Sequence, residues 1–531
     1  MSNEIDKQGH LSRRQMLVAS AGVLSVGGFL EACGGSAPPP GGGSTSTGAE
    51  TSTGTPKRGG TLRFGSQGAS ATDSPEAQNP IVNPDFARLF QMYSPLVAID
   101  QNFKLAYGLA EEITPNPKAT EWTFRLKDGL EFHDGKSVTA KDVLYSFQRI
   151  VAKKFSGALL LQPLDLENAK VLDERTLRIP THSPYSTLVQ AIASSPYFTV
   201  VPVGYDPKNP IGTGPFKLVS FTPGQESVVE RFPNYWETGK PYLDRIITTE
   251  YTSEDAQINA LQSGAIDYTD YLSGASVNTL KGAGMEVVVQ TSGGYCSVTL
   301  RVDQAPFDDV RVRQAVKLLM DREQMNKVVY QGLGKVGNDV FGLGDPLSDT
   351  SIPQRPHDPE QARALLKAAG REGASVTLVT APIAQGSVAL AQVLEQNAKA
   401  AGMNVKLQQL SVSNWVTNYL KWTFSQDFSY SGYYMGNVPL LTSKDAPFNE
   451  TKFSDPKYNQ LYAQALATTD EVKQKQIVSE MQHIDYDKGG LLIPVFAPII
   501  DAHSSKVHGL LPGSNITWAV SNYSWQNLWL G

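Results

Sequence analysis

Residues 231–270 constrain the fold more than any other stretch, because their pattern changes from strand to helix and back within one short segment. A β-rich run enters a turn rich in proline and glycine, and residues 246–251 are again β-branched and aromatic. Thr252 or Ser253 then caps a predicted helix through residue 262, and Gly264 stands where a C′ glycine ends a helix. Residues 265–269 return as a strand, so the unit indicates an α/β or α+β domain.

Length, charge and cysteine content restrict the classes of protein to which this chain can belong. A chain of 531 residues exceeds the size at which single cores stop growing, so two or more domains are expected. The net charge of −6, with no basic stripe, argues against nucleic acid as a partner. Two cysteines, Cys33 and Cys296, cannot form a disulfide framework.

The N-terminal residues have the pattern of an export signal. Arg13 and Arg14 lie in a segment that resembles the twin-arginine motif, and the apolar run 16–30 is too short to span a membrane. Residues 30–33 resemble a lipobox, so we expect residues 1–32 to be removed as a signal peptide and Cys33 to be lipidated. The alternatives are ordinary signal cleavage that leaves a free thiol, and export by the general secretory route.

Residues 34–58 consist almost entirely of Gly, Ser, Thr, Pro and Ala and cannot bury a core. A flexible chain of this length spans roughly 25–30 Å. Together with Cys33, these residues (33–58) are predicted to be a flexible tether that holds a folded body close to the membrane.

Several blocks of sequence resemble one family. They are NYW-x(3)-KPYLD at residues 234–244, LQSGAID at 261–267, GTGPFKL at 212–218, and the long match WTF-x-L-x-DG-x-x-FHDGK-x-x-TA-x-DV at 122–143. The same blocks, in the same order, are typical of the family 5 extracytoplasmic solute-binding proteins, the oligopeptide, dipeptide and nickel receptors of ABC importers. The resemblance covers about residues 60–512.

The resemblance implies an α/β, periplasmic-binding-protein-like fold with two lobes, a hinge and a satellite domain inserted in lobe I. Lobe I comprises residues 59–90, 212–290 and 496–531, the satellite domain residues 91–211, and lobe II residues 291–495. Such a protein closes over a small-molecule or peptide ligand and docks on ABC permease subunits. It is expected to act as a monomer, outside the cytoplasm, anchored by lipid to the outer face of the cell membrane.

The expected ligand-binding residues fall in four places. They are the small polar loop after the first strand, a chain crossing between the lobes, an aromatic segment of lobe II, and the Gly-aromatic run that contacts ligand in the family: Ser66, Gln67, Gly68, Tyr295, Trp415, Tyr433, Tyr434, Met435, Gly436 and Asn437. The alternative for the aromatic members is that they pack a core.

No motif requires catalysis, a metal or a cofactor. The G-x-G-x-x-G at residues 332–337 follows a predicted helix rather than a strand, so it is interpreted as a helix end and a turn. His133 and Asp134 are explained by turn chemistry, and none of the seven histidines has ligand spacing. An exported enzyme or a sensor on the same fold remains the alternative.

The ligand class depends on one missing residue type. Peptide-binding members carry an aspartate in the Gly-aromatic run that binds the peptide's α-ammonium, whereas residues 432–439 contain no acid here. A buried cation without a partner is unfavourable by several kcal/mol. We therefore expect a solute without a free α-amino group, unless Asp427 or Asp445 supplies the charge. An oligopeptide or dipeptide receptor is the alternative.

We predict that Cys33→Ser prevents lipidation and leaves the protein either uncleaved by the lipoprotein peptidase or in the soluble fraction. Mass spectrometry of the N-terminal peptide and membrane fractionation measure both effects. A Cys33→Ser protein that stays in the membrane with the wild-type mass shift contradicts the lipobox interpretation.

Overall fold

The computed structural model describes residues 54–531 apart from 72, 101, 431, 512, 513 and 517. The predicted signal peptide, Cys33 and most of the predicted tether lie outside these residues. Within the described part of the chain, no helix is both long enough and apolar enough to cross a membrane.

The strands are numbered in chain order. They are β1 Thr61–Gln67, β2 Val97–Ile99, β3 Leu105–Tyr107, β4 Ala110–Pro115, β5 Glu121–Leu126, β6 Lys170–Val171, β7 Thr176–Pro180, β8 Phe216–Thr222, β9 Glu226–Arg231, β10 Arg245–Tyr251, β11 Tyr268–Thr269, β12 Glu286–Leu300, β13 Lys335–Val336, β14 Ser375–Thr380, β15 Asn404–Gln409, β16 Phe424–Ser429, β17 Leu491–Leu492, β18 Val495–His503, β19 Val507–His508, β20 Ser514–Ile516 and β21 Trp529–Leu530.

The helices are numbered in the same way. They are α1 Asn83–Met92, α2 Ala140–Lys153, α3 Ala158–Leu161, α4 Leu188–Ala193, α5 Glu254–Gln262, α6 Val277–Gly282, α7 Val310–Leu319, α8 Arg322–Tyr330, α9 Pro359–Ala368, α10 Ser387–Ala400, α11 Val412–Thr417, α12 Tyr434–Asn437, α13 Pro456–Ala467, α14 Glu471–Lys488 and the helical turn α15 Ala519–Tyr523.

The principal sheet has two halves. One half has the order β11-β1-β10-β9-β8 and the other the order β15-β14-β16, and the long strands β12 and β18 lie between them. Strands β12 and β18 pair antiparallel from Glu286 opposite His503 to Tyr295 opposite Phe496, with a register shift between Thr291 and Tyr295. The chain therefore crosses between the halves in a hydrogen-bonded ladder, and the mixed α/β architecture confirms the predicted fold class.

A separate four-stranded sheet, in the order β4-β5-β7-β6, is formed by strands that lie between β1 and β8 in the chain. Its side chains pack with helix α2 into a distinct core that includes Trp122, Phe124, Phe147 and Ile179. Thr139 and Asp142 form a capping box at the start of α2, as the local sequence predicts. This body lies beside the first half of the sheet.

The stretch 231–270 folds largely as its pattern indicates. Ser253 is the N-cap of α5, because its hydroxyl accepts a hydrogen bond from the Ala256 amide, and Gly264 follows the helix with φ of 72°. The returning strand β11 is only two residues long. Likewise, β1 continues through Gln67, so the small polar loop expected to begin at Ser66 begins at Gly68.

Gly214 allows α1 and β8 to approach each other closely. Its amide donates to the Met92 carbonyl over 2.8 Å, and a Cβ at this position would lie 2.4 Å from the Met92 carbonyl carbon and the Tyr93 nitrogen. Those neighbours are backbone atoms, so they cannot rotate away as a side chain does.

We predict that Gly214→Ala lowers the free energy of unfolding by about 1–3 kcal/mol, because it overpacks this backbone contact. The matched control is Gly282→Ala, where an added Cβ meets nothing within 4 Å. Denaturant unfolding followed by circular dichroism measures both variants. Equal midpoints for the two alanines would show that the contact at Gly214 is not strained by a methyl group.

Candidate ligand-binding site

A cavity of about 290 Å³ lies between the C-terminal end of α1, the β2–β3 hairpin, the end of α4 and the C-terminal segment. Aromatic side chains make up much of its lining, notably Phe90, Trp236, Trp518 and Tyr523. We call this space the aromatic cavity. None of its lining residues comes from 291–495, so it lies entirely beside the first half of the sheet.

The aromatic rings of the cavity are held by polar contacts. The Trp236 Nε1 donates to Ser94 Oγ over 3.0 Å, and the Tyr523 hydroxyl donates to Asp270 Oδ2 over 3.1 Å. Phe90 packs beside Tyr523 with 5.6 Å between ring centroids. Lys127 Nζ lies 4.2 Å from the centre of the Trp236 ring, which fixes that ring further.

The turn that carries Tyr523 has an unusual backbone. In α15, Val520, Ser521, Asn522 and Tyr523 all have positive φ between 50° and 58°, a region that side chains other than glycine rarely adopt. Hydrogen bonds hold the turn in place, because the Val520 amide donates to Asp501 over 2.8 Å and the Leu511 amide donates to Ser521 Oγ over 3.0 Å. Such strain is characteristic of functional sites.

Asp270 and Asp501 lie under this turn as a pair of buried carboxyl groups. Burial, followed by the charge of Asp501, raises the pKa of Asp270 well above its ordinary value. Burial also raises the pKa of Asp501 to about 6. The pair therefore acts as a neutral or singly charged acceptor for Tyr523, Tyr268 and the turn rather than as a free anion.

The first group of predicted site residues lies at the end of β1. Ser66 is fully buried and lies beside the Asp270 carboxyl, whereas Gln67 and Gly68 are half-buried. Gly68 is in contact with α1, since a Cβ there would approach Pro84 to 2.8 Å. These residues lie in the same half as the aromatic cavity but do not line it.

Three of the predicted aromatic and apolar residues belong to cores. Trp415 is 2% exposed and packs with Val379, Ile383 and Phe428 in a small cluster of the second half. Tyr434 and Met435 are buried in another cluster, and the Tyr434 hydroxyl donates to Asp485 over 2.5 Å. Their faces are thus covered by the protein in this structure, as the core-packing alternative describes.

Tyr433 differs from its neighbours because it contacts the hairpin between β2 and β3. Its ring lies 5.0 Å from that of Phe103, and a Cβ on Gly432 would lie 2.5 Å from Phe103 Cζ. Phe103 has a positive φ of 65° and is buried. The predicted Gly-aromatic run therefore meets the inserted body that carries the aromatic cavity.

Tyr295, Gly436 and Asn437 lie near the end of β16. Tyr295 pairs with Ser429 across the ladder, and the Ser429 hydroxyl donates to Asn437 Oδ1 over 3.4 Å. Gly436 and Asn437 are buried in the short helix α12. The structure thus brings Tyr295 and Asn437 to one place, with Tyr433 at the near end of α12 and Ser66 to Gly68 in the other half.

The carboxyl groups around this run are already bound by protein donors. The Tyr434 amide donates to Asp345 over 2.7 Å, and the Tyr419 hydroxyl donates to Asp427 over 2.7 Å. Burial raises the pKa of Asp345 and of Asp427 to about 6 and that of Asp485 to about 7. All three carboxyls are buried.

His133 and the glycines at 332–337 have structural roles. The His133 Nδ1 accepts from the Gly212 amide over 3.2 Å, and burial lowers the pKa of His133 to about 4, so the ring is neutral. Gly332 follows α8 with φ of 78°, and the short strand β13 comes next instead of a helix. In the part of the chain that the structure describes, no group of three or more His, Cys, Asp or Glu is placed to hold a metal ion.

Phe103 and the aromatic cavity are the features that sequence reasoning missed. Trp236 lies in the NYW block, so the sequence shows that it belongs to a family motif. The sequence does not show that its side chain forms a wall of the cavity. Phe103 has no local signal, because its contact with Tyr433 joins residues 330 positions apart in the chain.

The fold, with two halves joined by β12 and β18, is that of the two-lobed binding proteins. The sequence profile of the bacterial extracellular solute-binding proteins, family 5 (middle region), matches residues 104–459, more than half of the chain. The chain therefore belongs to the bacterial extracellular solute-binding proteins of family 5. The resemblance inferred from the sequence blocks is confirmed.

Relatives and solved structures agree with this assignment. The chain is 25% identical over 468 residues to the glutathione-binding protein GsiB of Escherichia coli (strain K12), covering 82% of this chain and 89% of that protein. It resembles the ABC transporter substrate-binding protein CtaP of Listeria monocytogenes at 20% identity and a TM-score of 0.78, over 89% of this chain and 100% of CtaP. The peptide-bound protein DppA of Helicobacter pylori matches at 18% identity and a TM-score of 0.73, over 89% of this chain and 98% of DppA.

Proposed function

We propose that this protein is the extracytoplasmic receptor of an ABC importer, which captures a small solute between its halves and delivers it to the permease. The observation that carries the proposal is the match to family 5 over residues 104–459. The relatives are named as binding proteins, and the proposal requires no catalytic residue, metal or cofactor. Lipidation of Cys33, export through the twin-arginine route and a monomeric state are parts of the same proposal.

The proposed mechanism is a hinge closure. We assign lobe I to residues 59–90, 212–290 and 496–531, the satellite domain to 91–211 and lobe II to 291–495, so that β12 and β18 form the hinge. A ligand favours the closed form only through contacts that the open form lacks. The contact of Phe103 with Tyr433 is one that opening breaks.

A second contact supports the same closed arrangement. The Ser186 amide donates to the Leu466 carbonyl over 2.8 Å, and the Ser186 hydroxyl donates to the Ala465 carbonyl over 2.9 Å. Gln474 Nε2 in turn donates to the Ser186 hydroxyl over 2.9 Å. The satellite domain thus touches lobe II at two separated points, and both belong to the closed form in the proposal.

The solute is proposed to lack a free α-amino group. Residues 432–439 contain no acid, and the carboxyls of Asp345, Asp427 and Asp485 are buried and already accept hydrogen bonds from protein groups. Pairing an α-ammonium with Asp345, Asp427 or Asp485 would therefore compete with a hydrogen bond that the protein already makes. The exposed Asp445 belongs to the peptide-receptor alternative. The predicted binding residues Ser66, Gln67, Gly68, Tyr295, Trp415, Tyr433, Tyr434, Met435, Gly436 and Asn437 stay predictions.

The alternative is a peptide receptor. It is favoured by the names of relatives, since GsiB is named for glutathione and DppA was solved with the peptide STSA. The two proposals differ in the charge that the cleft must neutralise, so one titration separates them.

We predict that the natural ligand lowers the radius of gyration in small-angle X-ray scattering, because the halves approach each other. Protein purified without denaturant, which retains its ligand, is compared with protein stripped by partial unfolding and refolding. Phe103→Ala is expected to weaken ligand binding and closure, whereas the control Val472→Ala, at a position that is 70% exposed, is expected to leave both unchanged. A ligand that binds without any change in scattering would refute the hinge mechanism.

We also predict that mixed di- to pentapeptides show no binding of micromolar affinity in calorimetric titration. The matched control is the same mixture after N-acetylation, which removes the α-ammonium and keeps the side chains. Micromolar binding that disappears on acetylation would establish the peptide-receptor alternative and exclude the amine-free solute.

A further inference from the structure

We infer that the aromatic cavity is a recognition pocket for a compact, uncharged, aromatic part of the solute, and that its occupancy favours the closed form. The inference rests on the proposed receptor function. It names a binding surface that lies apart from every residue predicted from the sequence.

The shape and lining of the cavity match a small flat group. Its volume of about 290 Å³ lies near the lower end of the range for ligand pockets, about 300–1,000 Å³. Phe90, Trp236, Trp518 and Tyr523 line it with ring surfaces, which bury a flat apolar group well. Gln526 and Asn527 line it too, and amides of this kind suit a hydroxyl, carbonyl or ring N–H.

The charges of the cavity argue for an uncharged group. Three ionisable carboxylate or ammonium side chains line it, namely Asp100, Glu237 and Lys240. Lys240 and Glu237 pair with each other over 2.8 Å, and Asp100 Oδ1 accepts the amides of Asn102 and Lys104, each over 2.8 Å. A neutral ligand group leaves these contacts intact, whereas a charged one would compete for them.

Two walls of the cavity connect it to the second half of the molecule. The β2–β3 hairpin contributes Asp100 to the wall and continues to Phe103, which packs on Gly432 and Tyr433. The C-terminal wall adjoins β20, which pairs with β12 at Thr291 and Ser292, where the β12–β18 register shifts. A ligand group that fills the cavity therefore contacts and stabilises both the hairpin that touches lobe II and the segment beside the hinge.

The strain in the wall is consistent with this use. Four consecutive residues with positive φ, Val520 to Tyr523, place the Tyr523 ring against the cavity. Phe103, which is also at positive φ, does not line the cavity but lies in the β2–β3 hairpin that contributes Asp100 to its wall. Residues held in such conformations persist when the surrounding structure requires them, and they concentrate at ligand clamps.

The test uses 5-fluoroindole as the probe, because it is uncharged, flat and has one ring N–H. Fluorine NMR of the probe with the ligand-stripped full-length protein is expected to show line broadening and a shift that saturate. Ala193→Phe places a ring into the cavity from the last residue of α4 and is expected to raise the dissociation constant at least about tenfold, or 1.4 kcal/mol.

The matched control is Ala400→Phe, which adds the same ring at the last residue of α10, an exposed position away from the cavity. It is expected to leave the dissociation constant unchanged. Phe90→Ala is a second variant, expected to weaken probe binding by removing a wall instead of filling the space. It keeps the test decisive if Ala193→Phe fails to fold.

Saturable binding that is lost in Ala193→Phe or Phe90→Ala and retained in Ala400→Phe supports the pocket. Absence of binding to the wild type, or equal binding to all variants, overturns it. The small-angle scattering experiment described above tests the receptor function independently of this probe. A protein that closes on its own ligand but does not bind 5-fluoroindole keeps the proposed function and loses this inference.

Discussion

The pairing of β12 with β18 is the constraint on which the rest of the structure depends. These strands carry the chain between the two halves of the sheet, and their ladder runs from Glu286 opposite His503 to Tyr295 opposite Phe496. Backbone groups at a buried crossing must be hydrogen-bonded, and the ladder provides this without closing the halves into one rigid core. The register shift between Thr291 and Tyr295 interrupts the ladder, and this is where the proposed relative motion of the halves would be concentrated.

Each half is held internally by buried ion pairs, as the proposed hinge mechanism requires of two units that move relative to each other. In the first half, Arg88 contacts Asp85 over 2.5 Å and Glu250 over 2.6 Å. In the second half, Asp339 contacts Arg322 over 2.8 Å and Arg355 over 3.1 Å. Breaking such a pair leaves an uncompensated buried charge, typically at a cost of about 3–5 kcal/mol, so alternative packings of each half are disfavoured.

The aromatic residues of the two halves have different roles, and this difference bears on how a solute is recognised. The rings expected to face ligand in the second half, Trp415 and Tyr434, are used to pack cores, and Tyr433 meets Phe103 instead. The aromatic cavity, by contrast, is lined by rings that belong to the first half of the sheet and the segments beside it, among them Phe90, Trp236 and Trp518. Discrimination between solutes is thus proposed to involve the satellite domain as well as the lobe interface.

Local sequence determined the elements and the class of protein. Helix α5 begins at the Ser253 cap, Gly264 follows its end, and the sequence blocks identify the family, because each depends on residues that are neighbours in the chain. The sequence also predicted a helix end and a turn at residues 332–337, and Gly332 follows α8 with a positive φ.

Only the tertiary structure decided which side chains are exposed. An aromatic residue between glycines has the same local pattern whether it packs a core, as Tyr434 does, or meets another body, as Tyr433 does. The difference comes from Phe103 and Asp485, which are far away in the chain. Likewise, the aromatic cavity combines α1, the β2–β3 hairpin, Trp236 and the C-terminal segment, and burial depends on such distant contacts, which no local pattern records.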